Sequence, residues 1–341
     1  MPSDRAERRG EQRFIANDRI DTDWLLRHVE AYSLQGLASA GTLVVAHDGT
    51  EVDLHGRWEP SDAGALRSSR ARGYIVFAGA VMDLDTGYQG GLLFARAWTR
   101  PYPDGTMPDD KCPVKPEWHN EDHKWAWGLD RAHKLLIAGK IKAQVFHVGD
   151  AEGASFATLA HAHAKRYSYV TRAGVDRRIE VNGKRVSLDK HMEQAPLQFA
   201  MTFHIGHRKN GQDREAEVQV RYARVRLLAN DKKKGKKGAR MLNIDAVWVY
   251  EPSCPAGHKP VDILLLGVHM KVQDTGGARQ MLEVWQGRWV VEEMNKIAKT
   301  GCGLECDVVR NIKGFRRLLA VVWPLASHLA RWTHAARIYP T

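Results

Sequence analysis

The spacing of apolar residues along the chain predicts a mixed sheet flanked by helices. Short apolar or alternating runs bounded by Gly and Asp are typical of strands, whereas apolar residues three and four positions apart are typical of helices. The predicted order of strand, strand, strand, helix, strand, helix and strand covers residues 42–46, 74–82, 92–98, 124–138, 143–148, 156–163 and 167–171. We therefore expect an α/β fold, because helices and strands alternate after the first three strands.

The pattern changes after residue 176, where alternating stretches such as EVNGKRVSL and EVQVRYARVRLL predict a β-rich insertion. Turn signals at Asn182-Gly183 and Asn210-Gly211 predict hairpins within it. We divide the chain into an N-terminal arm and helix, the first part of a core, the β-rich insertion and a C-terminal helical part, at residues 1–40, 41–175, 176–272 and 273–341.

Two further helices are predicted outside this pattern. The buried face of the first is expected to consist of Trp24, Leu25, Leu26, Val29 and Leu34. The second covers the apolar segment 318–330, which contains Pro324 and is too short and too interrupted to cross a bilayer. The charged N-terminus lacks the apolar stretch of a secretory signal, so we expect neither export nor a membrane partner.

The chain carries a surplus of basic residues. Lys and Arg outnumber Asp and Glu by 51 to 40, which gives a formal charge of +11. This balance favours a polyanionic partner, above all nucleic acid, although a charge that only aids solubility is the alternative. In the insertion, a lysine-rich loop at 232–237 accompanies a strand on which Arg221, Arg224 and Arg226 alternate with other residues. Together they predict a surface that follows phosphates, while the loop alone is also typical of a solvated turn.

Four cysteines are too few and too scattered for a disulfide framework in a chain of 341 residues. A reducing cytoplasm is the expected location. Cys254 with His258, and Cys302 with Cys306, leave a structural zinc site open as an alternative. With Cys112 they complete the four cysteines, and no Cys-x-x-Cys pair supports the zinc interpretation.

The run WQGRWVVEEMNKIAKTG contains a ring, an acid and two bases at helical spacing. On one continuous helix, Trp285, Arg288, Glu292 and Lys299 share a stripe about 60° wide. Gly301 is expected to end that helix in the left-handed conformation. A carboxylate between two cations suits a site for metal and phosphate together, and a salt-bridged solvated helix face is the alternative.

Two aspartates follow predicted strands, Asp48 after residues 42–46 and Asp150 after residues 143–148. In an α/β sheet such strand ends meet at one edge, where a helix can add Glu292 as a third acid. Three close carboxylates are tolerated mainly around cations, and oxygen ligands favour Mg²⁺, with Mn²⁺ as a substitute. A cap or turn role is the alternative for each aspartate taken alone.

These residues resemble the motifs of the cut-and-paste DDE transposases of the insertion-sequence-four family. The most specific likeness is to the signature Tyr-x2-Arg-x3-Glu-x6-Lys, with Trp285 in the Tyr place and Arg288, Glu292 and Lys299 intact. HDGTEVD is similar to the block around the first acid, and VFHVGDAEGASFATL to the block around the second. Weaker similarities are GLLFARAWTRP, Glu121-x2-Lys124-Trp125, Arg172 and LLLG at 264–267.

The resemblance implies an RNase-H-like core with the β-rich insertion between the second Asp and the Glu. It implies two metal ions held by Asp48, Asp150 and Glu292, strand cleavage at transposon ends, and attack of the freed 3′-hydroxyl on target DNA. Double-stranded DNA and a second copy of the chain are the implied partners. The DNA contacts expected from the resemblance and from the arginine strand are Trp285, Arg288, Lys299, Arg172, Lys124, Trp125, Arg221 and Arg224.

The chain also departs from the family pattern. Trp285 replaces Tyr, and Ile263 stands where members often carry a Trp that stacks on a flipped base. Only about 47 residues precede Asp48 and 42 follow Lys299, so the end-recognition and dimerisation regions are expected to be missing or cut short. Three other functions stay open: a catalytically silent DNA-binding remnant, a two-metal nuclease without strand transfer, and an unrelated basic protein.

Overall fold

The computed structural model describes residues 5–54, 60–67, 71–100, 123–206, 213–229, 240–305 and 309–338. The lysine-rich loop at 232–237, Asn210-Gly211, Glu121, Cys112 and Cys306 lie outside these ranges. The chain forms two compact units, residues 1–145 with 287–341 and residues 146–286. The predicted boundaries at 175 and 272 therefore both fall inside the second unit.

The α/β class predicted from the sequence is confirmed, with strands that pair mostly antiparallel. The described helices are α1 (Arg5–Ala16), α2 (Thr22–Gln35), α3 (His123–Ala138), α4 (Phe156–Lys165), α5 (Leu188–Gln194), α6 (Thr275–Gln286), α7 (Trp289–Lys296) and α8 (Ile312–Ile338). The described strands are β1 (Thr42–Asp53), β2 (Gly64–Ala65), β3 (Arg72–Asp83), β4 (Gln89–Trp98), β5 (Gln144–Gly149), β6 (Ser168–Arg172), β7 (Arg178–Val181), β8 (Lys184–Ser187), β9 (Phe199–Ile205), β10 (Arg214–Leu228), β11 (Met241–Tyr250) and β12 (Asp262–Val268).

The first unit is built on an antiparallel meander. β1 pairs with β3 from Leu43 opposite Asp83 to Asp53 opposite Gly73, and β4 pairs with the other edge of β3. Aromatic residues fill the core on the α3 side, where the Trp125 ring lies edge-on to Phe77 at 5.2 Å between centroids. The three predicted strands and the helix at 124–138 are thereby confirmed.

The second unit begins with a parallel crossover. β5 and β6 pair in parallel from Phe146 opposite Ser168 to Gly149 opposite Thr171, and α4 connects them. β12, β11 and β10 continue from β6 as antiparallel neighbours, and β7, β8 and β9 complete the β-rich part. The hairpin predicted at Asn182-Gly183 is confirmed, because both residues have positive φ values of 50° and 77°, as tight hairpin turns require.

The buried face predicted for the first helix is confirmed in part: Leu25, Leu26, Val29 and Leu34 are half-buried, and Leu34 packs against the core of the first unit, but Trp24 is not buried. Trp24 is 51% exposed, and the buried residues of α2 are Glu30 and Ser33. The reason is a contact from a distant helix, since Arg131 of α3 donates to Glu30 at 2.6 Å. Burial raises the pKa of Glu30, and the Arg131 charge opposes that change.

The late apolar segment is part of a longer helix than its hydrophobic run predicted. α8 spans 27 residues with Pro324 inside it. Phe315, Leu319, Trp323 and Ala326 are buried, so the core-helix prediction for 318–330 is confirmed. Among the described helices, none combines the length and the apolar character that a membrane crossing requires.

Candidate functional site

The predicted continuous helix from Trp285 to Lys299 is interrupted. α6 ends at Gln286 and α7 begins at Trp289, with Gly287 and Arg288 in a turn between them. Trp285 lies in the last turn of α6, in the second unit, whereas Arg288, Glu292 and Lys299 belong to the first. Gly287 favours this interruption, since glycine is about 1 kcal/mol less favourable than alanine inside a helix.

The end of the helical run also differs from the prediction. After α7 the chain forms a π-helical turn at Ile297–Gly301, whose wider winding shifts Lys299 from its ideal α-helical angle. The left-handed residue is Gly303, with a φ of 67°, instead of Gly301. The single 60° stripe predicted from ideal helical angles is therefore not formed.

Asp48 lies inside β1, not at a strand end as its flanking sequence predicted. The strand continues for five residues beyond it because pairing with β3 persists to Asp53 opposite Gly73. The half-buried Asp48 carboxylate accepts a hydrogen bond through Oδ2 from Asn295 Nδ2 at 2.8 Å. Asn295 is on α7 and only 6% exposed, so the strand that carries the first acid is tied to the helix that carries Glu292.

Glu292 lies in the first turn of α7, where the positive end of the helix dipole stabilises an acid. Its carboxylate accepts from the Arg288 guanidinium one turn earlier, and the Glu292 side chain is 49% exposed. This ion pair fits the salt-bridged helix face that was the alternative interpretation of the motif. It also leaves the Glu292 carboxylate accessible from solvent.

Lys299 is directed to β1. Its ammonium donates to the Glu51 carbonyl oxygen and lies 3.5 Å from the Glu305 carboxylate. The Glu51 side chain accepts from Arg100 Nη1 at 2.8 Å and from the Arg67 backbone N–H at 3.0 Å. Two cationic side chains, Lys299 and Arg100, thus meet the second half of β1 just beyond Asp48, and the sequence reasoning did not single out Glu51.

Lys124 and Trp125, predicted to contact DNA, are buried in the first unit. Trp125 is 1% exposed and forms part of the aromatic core, so its ring serves packing in this structure and the expected surface position is wrong. Lys124 is 3% exposed. A Cβ built on Gly49 would lie 3.2 Å from the Lys124 ammonium, which places this cation beside the residue that follows Asp48.

Asp150 directly follows β5, as predicted. Its Oδ1 accepts the Glu152 backbone N–H at 2.9 Å and caps the 3-10 helix Ala151–Ala154. Its backbone carbonyl accepts from Thr171 Oγ1 at 2.5 Å, which fixes the end of β5 against β6. The cap interpretation is therefore realised at Asp150, and Glu152 is half-buried beside it.

The three acids are divided between the units. Asp48 and Glu292 lie in the first unit and Asp150 in the second. Within the described part of either unit, no group of three or more His, Cys, Asp or Glu side chains is arranged to hold a metal ion. Convergence of the triad stays a prediction. Of the zinc candidates, Cys254 contacts the His258 carbonyl at 3.4 Å, not the imidazole.

The predicted cationic strand of the second unit has two different kinds of arginine. Arg221 donates to the carbonyls of Glu193 and Ala195 at 2.6 and 2.5 Å and lies over the Tyr250 ring, so it stabilises the unit itself. Arg224 is 62% exposed, with its guanidinium 3.7 Å from Asp245. Arg224 is therefore better placed than Arg221 for an outside phosphate.

Arg172 ends β6, where its guanidinium donates to the Asp262 carbonyl at 3.2 Å.

No protein-family model matches this chain. A function is accordingly inferred from the motif resemblance and from the local geometry. The residue at the candidate site that sequence reasoning missed is Asn295, whose one signal was its position three residues after Glu292, one helical turn along the same face.

Proposed function

We propose that this protein is a DNA transposase that cuts and joins DNA strands by two-metal-ion chemistry on an RNase-H-like core. The observation that carries the proposal is the 2.8 Å hydrogen bond from Asn295 to Asp48, which joins the strand of the first acid to the helix of the third. Acids separated by 244 positions in the sequence, Asp48 and Glu292, thus lie on elements in direct contact.

The strand arrangement also supports an RNase-H-like core. An antiparallel meander of β1, β3 and β4 in the first unit precedes a parallel β5–α4–β6 crossover in the second. This is the order that the resemblance implies, with the β-rich insertion placed after β6. After the insertion the chain continues through α6 to α7, which carries Glu292.

The donor chemistry of the three acids fits a hard divalent cation. Asp48, Asp150 and Glu292 would hold Mg²⁺, or Mn²⁺ in its place, through carboxylate oxygens. When bound, a pair of such ions supplies activation of the attacking oxygen and charge neutralisation at the phosphorus. Glu292 would hold the cation in place of its contact with Arg288, and the Arg288 guanidinium would then be available to a DNA phosphate.

Double-stranded DNA is the proposed substrate, acted on in the cytoplasm. The formal charge of +11 favours a polyanion, and the exposed Arg224, the exposed Arg172 and the partly exposed Lys299 are proposed phosphate contacts that position the backbone without reading sequence. Trp285 is proposed to stack on the DNA end. Lys124, which is buried beside β1, is proposed to act inside the protein next to the Asp48 site. It is not proposed to contact DNA.

A second copy of the chain is the proposed protein partner. α8 carries exposed apolar residues at intervals of four, four and three positions, which form one helical stripe: Val321, Leu325, Leu329 and Trp332. An exposed stripe of this length on one helix face is typical of an interaction surface.

The test uses the full chain and a supercoiled plasmid that carries the gene with its native flanking DNA. In roughly millimolar Mg²⁺ or Mn²⁺, we expect nicks and joined strands that map to defined ends. Asp48→Ala, Asp150→Ala and Glu292→Ala should each abolish both products, whereas Glu283→Ala, which removes an exposed acid from α6, should not. Cleavage that survives all three changes refutes the proposal, and nicks without joined strands indicate a nuclease.

One observation favours a second candidate, a catalytically silent DNA-binding protein. Glu292 is engaged by Arg288, and no three-ligand group is formed within the described residues of either unit. This candidate predicts duplex binding that weakens steeply with salt, because counterions are released, together with no cleavage even in Mn²⁺.

A further inference from the structure

Only one of the two polar atoms of the Asn295 side chain has a hydrogen-bond partner among the described residues. Its Nδ2 donates to Asp48 at 2.8 Å, whereas its Oδ1 is buried and has no hydrogen-bond partner among the described residues. The whole residue is 6% exposed. A buried acceptor without a donor costs roughly 1–3 kcal/mol, so native structures usually satisfy such an atom with a protein group, an ordered water or an ion.

We propose that Asn295 is the positioning residue of the Asp48 metal site, and that its Oδ1 accepts a hydrogen bond from the hydration water of the divalent cation held there. The inference rests on the proposed function in one respect, the presence of a cation at Asp48. It adds a residue to which neither the motif resemblance nor the charge pattern assigns a role.

An amide side chain can both orient the Asp48 carboxylate and accept a hydrogen bond from a hydration water. The Nδ2 donor holds one Asp48 oxygen, which fixes the rotation of the carboxylate and presents its other oxygen in a constant direction. The Oδ1 atom can only accept a hydrogen bond, and the hydration water of a divalent cation is a strong hydrogen-bond donor. A leucine of similar size can do neither, and an aspartate would place a second charge against Asp48.

The position of Asn295 on α7 gives the contact a second effect. Asn295 and Glu292 are three residues apart on one helix, so a bond that locates Asn295 against β1 also locates Glu292 relative to Asp48. The loss of Asn295 should therefore weaken cation binding through the orientation of two ligands, not through the loss of a ligand.

The test measures Mn²⁺ binding to the full chain by the electron paramagnetic resonance signal of free Mn²⁺, without DNA and without turnover. Asn295→Leu should weaken Mn²⁺ binding about 10- to 100-fold, the usual effect of losing a residue that orients a metal ligand. Asp48→Ala should abolish binding at this site. Val291→Ala is the matched control, because it shortens a fully buried side chain of α7 that cannot hydrogen-bond to Asp48, and it should change the affinity less than about 3-fold.

Thermal unfolding of the metal-free proteins shows whether a variant still folds. Asn295→Leu should retain most of the wild-type stability, because it also removes the unsatisfied Oδ1; if it fails to fold, Asn295→Ala takes its place. Unchanged Mn²⁺ affinity in a folded Asn295 variant, with binding lost in Asp48→Ala, overturns the inference and leaves the proposed function intact. Wild-type binding in Asp48→Ala overturns both.

Discussion

Replacement of Glu251 by Gln is expected to destabilise the second unit by about 3 kcal/mol at neutral pH. The Glu251 side chain is 2% exposed, and Arg214 donates to its two carboxylate oxygens at 2.6 and 2.7 Å. The Val261 backbone N–H adds a third bond at 3.0 Å. Gln preserves the shape of the side chain but replaces one acceptor oxygen with a donor that faces the guanidinium.

The magnitude follows from the pKa of Glu251. The hydrogen bonds from Arg214 lower that pKa from 4.5 to about 2 and outweigh the opposing effect of burial. A difference of about 2.5 pKa units corresponds to roughly 3 kcal/mol, in line with the cost of breaking a buried ion pair. Because the folded-state pKa is depressed, this stability is fully present above pH 4.5 and is lost as the pH falls through about 2.

The assay is urea unfolding, monitored by hydrogen exchange of peptides from β10 and β11. It is carried out at pH 7 and at intervals between pH 4.5 and 2. Glu215→Gln is the matched control, since Glu215 pairs with His204 at 2.9 Å but is 60% exposed, and its loss should cost less than about 0.5 kcal/mol. Equal stability of Glu251→Gln and wild type at pH 7, or a difference that does not shrink as the pH falls, would refute the reasoning.

Further predictions concern the first unit. Gly79→Ala should destabilise it by about 1–3 kcal/mol in thermal unfolding, because the new Cβ would lie 2.3 Å from the buried Phe94 ring, while Gly10→Ala, with open space around it, should not destabilise the helix α1. Tyr74→Phe removes the 2.5 Å bond to Asp62 and should cost about 1–2 kcal/mol; Asp62→Ala should cost more, since Asp62 also accepts the Ile312 N–H at the start of α8. Leu325→Glu with Leu329→Glu should abolish any self-association seen by sedimentation; a dimer that survives them contradicts the role of the α8 stripe.

Local sequence patterns were sufficient for most elements of the fold. The strands at 74–82 and 92–98, the helix at 124–138 and the Asn182-Gly183 hairpin depend on the preferences of neighbouring residues, and these agree with the structure. The position of Asp150 after β5 was equally predictable, because apolar runs that end at Gly-Asp mark a strand end.

Tertiary contacts decided the rest. β1 continues past Asp48 because β3 offers it a partner as far as Gly73, and Glu30 is buried because Arg131 reaches it from another helix. Asn295 meets Asp48 across 247 positions. The sequence by itself determined which chemical groups are present and which local elements carry them. Only the folded chain determined which of those groups meet, because the partner of a strand edge or a buried polar atom depends on residues far away in the sequence.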